Sequence, residues 1–176
     1  MIKLGVKYVL SLLKTYFSET ILSSQLVVTF EFSREKNIHI HTQVIALTKG
    51  DPEVLKTLFI KSAKNMEYPD FQMLNEDQSD DFYESDYLKI EMYSKSNFNK
   101  GNNDPVVGMV LGIAEYSSNF DLQFPRRGIA DYIKSIEGQY KSEHIENWKK
   151  CVQSQKQEEQ ATNEFKILFS KNDFAN

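Results

Sequence analysis

Two hydrophobic runs joined by a short polar link predict a β-hairpin in the first third of the chain. The run LVVTFEF begins at Leu26, the run IHIHTQVIAL ends at Leu47, and SREKN lies between them. Such β-rich runs across a polar connection are typical of paired antiparallel strands. In the second run, alternation places four polar residues on one face, namely Asn37, His39, His41 and Gln43. We expect helices to cover the apolar face of the sheet and solvent to reach this polar face.

Hydrophobic residues at helical spacing predict helices on both sides of the hairpin. The first covers residues 4–17, and the next covers residues 51–64, where Asp51 suits the N-cap and a proline follows it. The pattern also predicts helices after Pro125 and from Ser142 onward. Hydrophobic stripes of this kind usually face the core of a domain, so these helices should pack against the sheet.

Further strands complete the predicted fold. Residues 87–93 and 106–116 have the composition of strands, and residues 96–105 have the asparagine, glycine and proline content of a loop. We predict an α+β fold: an antiparallel sheet of about four or five strands with helices packed mainly on one face. One domain should cover residues 1–170, followed by a frayed tail over residues 171–176.

Composition and charge limit the classes of function. The 176 residues are 40% hydrophobic and 26% charged, which is typical of a globular domain, and the net charge of −4 excludes a polycation. The single cysteine, Cys151, excludes an internal disulfide framework and a cysteine-rich zinc site. No run approaches the roughly 20 apolar residues of a membrane helix, and we recognise no signal peptide. We therefore expect a cytoplasmic protein, or one inside a host cell if it is viral or an effector.

His39 and His41 are the strongest candidates for chemistry. They leave the same strand face about 7 Å apart, close enough for both imidazoles to reach one metal ion. Imidazole suits several transition metals, and a site would need a third ligand. Glu31 on the paired strand is the first candidate for that ligand, and Glu35 in the link is the second. The pair is also compatible with two half-exposed histidines on a polar sheet face.

The segment LVVTFEFSREKNIHIHTQVIAL resembles the second motif of the HUH endonucleases. This family includes rolling-circle replication initiators, plasmid relaxases and related transposases. The resemblance covers about residues 8–64 and, more weakly, residues 126–141. It implies that His39 and His41 bind Mg²⁺ or Mn²⁺ together with a third ligand such as Glu31. It also implies a later helix that carries a nucleophilic tyrosine.

Tyr132, in RRGIADYIKSIEG, occupies the place of that nucleophile, and Tyr140 is an alternative. In the family a lysine commonly follows three residues after the tyrosine, whereas here Lys134 follows after two. Tyr132 also shares a helical stripe with apolar residues, which is compatible with a position in the core. Those residues are Ile129, Ile133 and Ile136.

The function implied by this resemblance is metal-dependent nicking and joining of single-stranded DNA. The metal ion would polarise a phosphodiester, and the tyrosine oxygen would attack phosphorus to form a covalent intermediate. Because the net charge is negative, DNA would need a local basic surface. Arg126, Arg127 and Lys134 would supply it.

The alternative function is a protein-binding module without catalysis, such as an immunity-type inhibitor or a virulence-associated adaptor. Residues 75–86, NEDQSDDFYESD, contain no basic residue. This acidic segment would then meet a basic protein partner. The two functions differ in one requirement. Nicking needs His39, His41, Glu31 and a tyrosine to converge, and protein binding does not.

Overall fold

A computed structural model describes residues 25–34, 37–74, 85–113, 119–137 and 154–170 of the chain. It describes the backbone alone at a few positions inside its helices and strands, namely 37–41, 137, 165, 168 and 169. The predicted helix over residues 4–17, the predicted helix from Ser142, most of the acidic segment and the predicted tail lie outside the described residues.

Five strands form one antiparallel sheet, in the order β2-β1-β4-β5-β3. They are β1 (Leu26–Arg34), β2 (Asn37–Leu47), β3 (Gln72–Met73), β4 (Tyr87–Ser94) and β5 (Val107–Gly112). The described helices are α1 (Pro52–Asn65), α2 (Lys95–Asn99), α3 (Phe124–Glu137) and α4 (Gln155–Ser170). The predicted α+β class and its antiparallel sheet are confirmed, and so is the hairpin of β1 and β2.

The main core lies between one face of the sheet and the helices α1 and α3. Alternate residues of β1 point into it, because Leu26, Val28, Phe30 and Phe32 are all at most 5% exposed. Phe59 of α1 and Tyr132 of α3 belong to the same buried cluster. The two helices approach each other closely at Gly128, where an added Cβ would lie 2.5 Å from Cε1 of Phe59.

The start of α1 follows from local sequence, as predicted. Oδ1 of Asp51 accepts hydrogen bonds from the backbone N–H groups of Glu53, at 2.9 Å, and Val54, at 3.3 Å. These bonds satisfy two of the N–H groups that the first turn of a helix leaves unpaired. Pro52 occupies the first turn, where its missing N–H costs nothing.

The second face of the sheet carries a smaller apolar cluster, with Val27 and Tyr93 buried at its centre. Phe98 of α2 packs against it, together with Val44 and Ala46. The prediction of a loop over residues 96–105 is therefore wrong at its start. The packing of Phe98 stabilises one short helix in a segment whose asparagines and glycine favour a turn.

The register of the hairpin reverses the expected orientation of β2. His41 pairs with Phe32 and Gln43 pairs with Phe30, so the polar positions of β2 lie on the helix side of the sheet. The core reaches β2 at its other end, through Leu47 and Ile45. The prediction that helices would cover the opposite face of β2 is therefore wrong. None of the helices that the structure describes is long and apolar enough to cross a membrane.

Candidate functional site

The structure does not bring the three predicted metal ligands to one face of the sheet. Glu31 pairs with Thr42, whereas His41 pairs with Phe32, so position 41 and Glu31 lie on opposite faces. Since His39 lies two residues from His41 on the same strand, Glu31 is also on the wrong face for it. The side chains of both histidines lie outside the described part, so metal binding by the pair stays a prediction. Among the described side chains, no group of three His, Cys, Asp or Glu residues could hold a metal ion.

Glu31 instead belongs to a charged cluster on the second face, which we call the sheet-face cluster. Its Oε1 accepts a hydrogen bond of 2.8 Å from the hydroxyl of Tyr87. Nζ of Lys89 lies 3.8 Å from Oε1 of Glu31 and 3.6 Å from Oε2 of Glu91. The Tyr93 hydroxyl donates to Oε2 of Glu91 at 3.1 Å. One lysine and two tyrosines therefore hold two carboxylates in place.

Burial raises the pKa of Tyr93 well above its ordinary value near 10. The neighbouring Glu91 carboxylate raises this pKa further, because its negative charge opposes ionisation and because it accepts a hydrogen bond from the protonated hydroxyl. More distant negative charges on Asp104 and Glu31 act in the same direction. Tyr93 therefore keeps its proton in the folded protein at pH values where the unfolded chain loses it.

This difference predicts a loss of stability in alkaline solution. The contribution of Tyr93 to the free energy of unfolding is fully present below about pH 10. It declines as the pH rises above that value, by at most about 1.4 kcal/mol per pH unit. Urea unfolding of the wild type and Tyr93→Phe at several pH values between 8 and 11 measures it. The stability advantage of the wild type should shrink above about pH 10. Parallel pH profiles of the two proteins would contradict the raised pKa.

Tyr132, the predicted nucleophile, is a core residue. It is 1% exposed, and its hydroxyl accepts a hydrogen bond of 2.5 Å from the backbone N–H of Asp51. Asp51 lies beyond Leu47, the last residue of β2. Leu47 itself is about 20 Å along the strand from His41. The tyrosine oxygen therefore lies beyond the Leu47 end of β2, whereas His39 and His41 lie in the half of the strand nearer Asn37. Of the two interpretations of Tyr132, the contacts favour the core position.

The predicted basic surface is largely neutralised by neighbouring groups. Nη2 of Arg127 lies 2.5 Å from Oδ2 of Asp121, and Nζ of Lys134 lies 3.6 Å from Oδ1 of Asp131. Nε of Arg126 donates to Oε1 of Gln43 at 3.2 Å, which joins α3 to β2. Among the described residues, two of the three cations thus have a carboxylate partner, and this leaves little net positive charge for a phosphate backbone.

Helix α4 is the feature that the sequence interpretation missed. It begins with a capping box: the N–H of Ser154 donates to Oε1 of Gln157 at 2.9 Å, and the N–H of Gln157 approaches Oγ of Ser154 at 3.4 Å. Side-chain hydrogen bonds of 2.9 Å join Gln155 to Glu159 and Gln160 to Glu164, each four residues apart. The signal was present in the sequence, because Ser-x-x-Gln before a helical run marks a helix start.

Every described side chain of α4 is exposed, and Ile167 is 61% exposed. The sequence nevertheless gives the helix one apolar side. Positions 161, 165, 168 and 169 follow the spacing i, i+4, i+7 and i+8, and they are occupied by Ala161, Phe165, Leu168 and Phe169. We call these four positions the α4 stripe. Ala161, whose side chain is described, is exposed.

The comparisons with known proteins assign no family to the chain. No protein-family model matches the sequence, and no curated protein matches it significantly. The function is therefore argued from the contacts and exposures of the described residues.

Proposed function

We propose that this chain is a protein-binding domain without catalysis, and that its partner recognises helix α4. The observation that carries the proposal is a helix whose described side chains are all exposed and whose sequence carries an apolar stripe. A sixteen-residue helix gains little stability from its backbone alone, and helices in proteins are stabilised mainly by packing an amphipathic face. All described side chains of α4 are exposed, so a protein partner would supply that packing.

The local contacts of α4 favour a helix that is already formed before a partner binds. The capping box at Ser154 and the two side-chain pairs are each worth a few tenths to about 1 kcal/mol. They favour the helical conformation before binding and so lower the entropy lost when the partner binds. The binding mode would be a helix in an apolar groove, with the stripe residues as anchors. This proposal does not require the acidic segment 75–86, whose predicted role as a partner-facing surface stays a prediction.

Site-specific photo-crosslinking in the organism that makes the protein tests the proposal. A photoreactive residue at position 165, on the stripe, should capture one defined protein. The same residue at position 163, on the other side of the helix, should not. The captured protein is then purified, and its affinity for the wild type is measured by calorimetry.

Two variants give a matched comparison with that purified partner. Leu168→Glu places a charge on the stripe and should weaken binding at least tenfold, because burying a leucine contributes about 1.5–3 kcal/mol. Ile167→Glu makes the same kind of change at an exposed position off the stripe and should change affinity less than about twofold. Equal effects of both variants, or equal crosslinking at 163 and 165, would contradict the role of α4. A covalent adduct with single-stranded DNA, present in the wild type and absent in Tyr132→Phe, would overturn the non-catalytic function itself.

A further inference from the structure

Strand β2 forms one edge of the sheet that the structure describes. It is eleven residues long, and among the described residues it pairs with β1 alone. The strand at the opposite edge, β3, has two residues. The row of backbone N–H and C=O groups along an edge strand can pair with another chain, so soluble proteins usually protect long edges.

The sequence of β2 lacks the charged residues and the proline that usually protect an edge strand. Residues 37–47 contain no Asp, Glu, Lys, Arg or Pro, although 26% of the chain is charged. The interior strands β1 and β4 do carry charges, on Glu31, Arg34, Lys89 and Glu91. A register shift lies between Phe32 and Arg34, at one end of the hairpin, and the pairing from His41 to Leu47 is regular. Charges thus occur on strands that are already paired and are absent from the strand whose edge needs them.

We propose that β2 pairs antiparallel with β2 of a second copy of this chain, across a two-fold axis near Val44. The two sheets would then form one continuous sheet of ten strands. The absence of charge favours a second copy over a foreign strand. Close to a two-fold axis a residue lies near its own symmetry mate, so a charged residue there would meet a like charge. A strand that binds a different protein can instead use complementary charges for specificity.

The residues around this axis suit such a pairing. Val44 would face its own copy, and Thr42 would face Ala46 of the second copy, so that small uncharged side chains meet on the second face. Val44 and Ala46 already pack against the apolar cluster of Val27 and Tyr93. Pairing would bring this apolar cluster of one copy beside the same cluster of the second copy. It would also remove the half-buried sides of Val44 and Ala46 from water.

Light scattering and a cysteine crosslink test the proposal together. The wild type should pass from 20.5 kDa toward twice that mass as its concentration rises. Val44→Lys places two ammonium groups across the axis and should leave a folded monomer, whereas Val44→Thr should keep the dimer. Circular dichroism shows whether Val44→Lys is folded. In a Cys151→Ser background, Val44→Cys should form a disulfide-linked dimer on mild oxidation, because residues opposite each other in paired strands have Cβ atoms about 5 Å apart.

Lys61→Cys, in the same background, is the matched control, because position 61 is exposed on α1, which packs against α3 and β5. It should not crosslink. A wild type that stays monomeric at all concentrations would overturn the proposal, and so would a dimer that Val44→Lys leaves intact. Equal crosslinking at positions 44 and 61 would also overturn it. Because α4 is a separate element, Leu168→Glu should leave the dimer unchanged, so failure here does not affect the proposed role of α4.

Discussion

Tyr132→Ala should lower the free energy of unfolding by about 3–5 kcal/mol, the cost of removing a large aromatic side chain from a packed core. Tyr132 is 1% exposed and lies within the cluster formed by the sheet, α1 and α3. Alanine would leave a cavity lined by residues that cannot fully collapse into it. Urea unfolding followed by circular dichroism measures the change, with an unchanged m-value as the sign that the two proteins unfold from the same fold.

Tyr132→Phe is the matched variant for this prediction, because it keeps the ring and removes only the hydroxyl. It should cost about 0.5–1.5 kcal/mol, since the N–H of Asp51 loses its hydrogen-bond acceptor. The bond joins residues 81 positions apart and holds the start of α1 against α3. A tyrosine used for nucleophilic attack would give the opposite result, with little effect of Phe on stability. If Tyr132→Ala cost less than about 1 kcal/mol, the core position of this ring would be wrong.

Gly128→Ala is expected to have the second large effect, a loss of about 1–3 kcal/mol of stability. In an exposed helix the same change usually stabilises by about 1 kcal/mol, because alanine is the better helix former. Here the new Cβ would lie 2.5 Å and 2.8 Å from two ring carbons of Phe59, which is itself fully buried. The ring cannot move away without displacing its own neighbours in the core, so α1 and α3 would be forced apart.

Two further variants separate this steric cause from other effects of the substitution. Gly112→Ala should change stability only slightly, because a Cβ at Gly112 meets nothing within 4 Å. In the Gly128→Ala background, Phe59→Leu should cost less than it does in the wild type, because the smaller side chain relieves the clash. Thermal or urea unfolding of the wild type, Gly128→Ala, Phe59→Leu and the double variant completes a double-mutant cycle. Additive effects of the two changes, or a stabilising Gly128→Ala, would contradict close contact of the helices at this point.

The sequence by itself determined the elements whose causes are local. The alternation in LVVTFEF indicates that Leu26, Val28, Phe30 and Phe32 share one face of β1, and all four belong to the same buried cluster. Asp51 and Pro52 predict the start of α1, because an N-cap hydrogen bond spans only two or three residues. Ser154 and Gln157 carried an equally local signal for α4, and reading it would have placed that helix correctly.

Only the tertiary structure decided which face of each strand meets the helices. The polar side of β2 looked like a solvent face, yet its register with β1 places it on the helix side, since Phe32 pairs with His41. The same register puts Glu31 on the other face, beside Lys89 and Tyr87, and away from the histidine positions. Strand alternation tells which residues share a face, but it contains no information on what covers that face.

The environment of Tyr132 was likewise decided by contacts between distant parts of the chain. Its helical stripe was compatible with a nucleophile and with a core residue, and the sequence could not choose between them. The choice came from the packing of α3 against α1 and from the bond to Asp51, 81 residues away. Local hydrogen bonds and side-chain periodicity depend on residues close together in the sequence. Burial depends on which distant elements pack together.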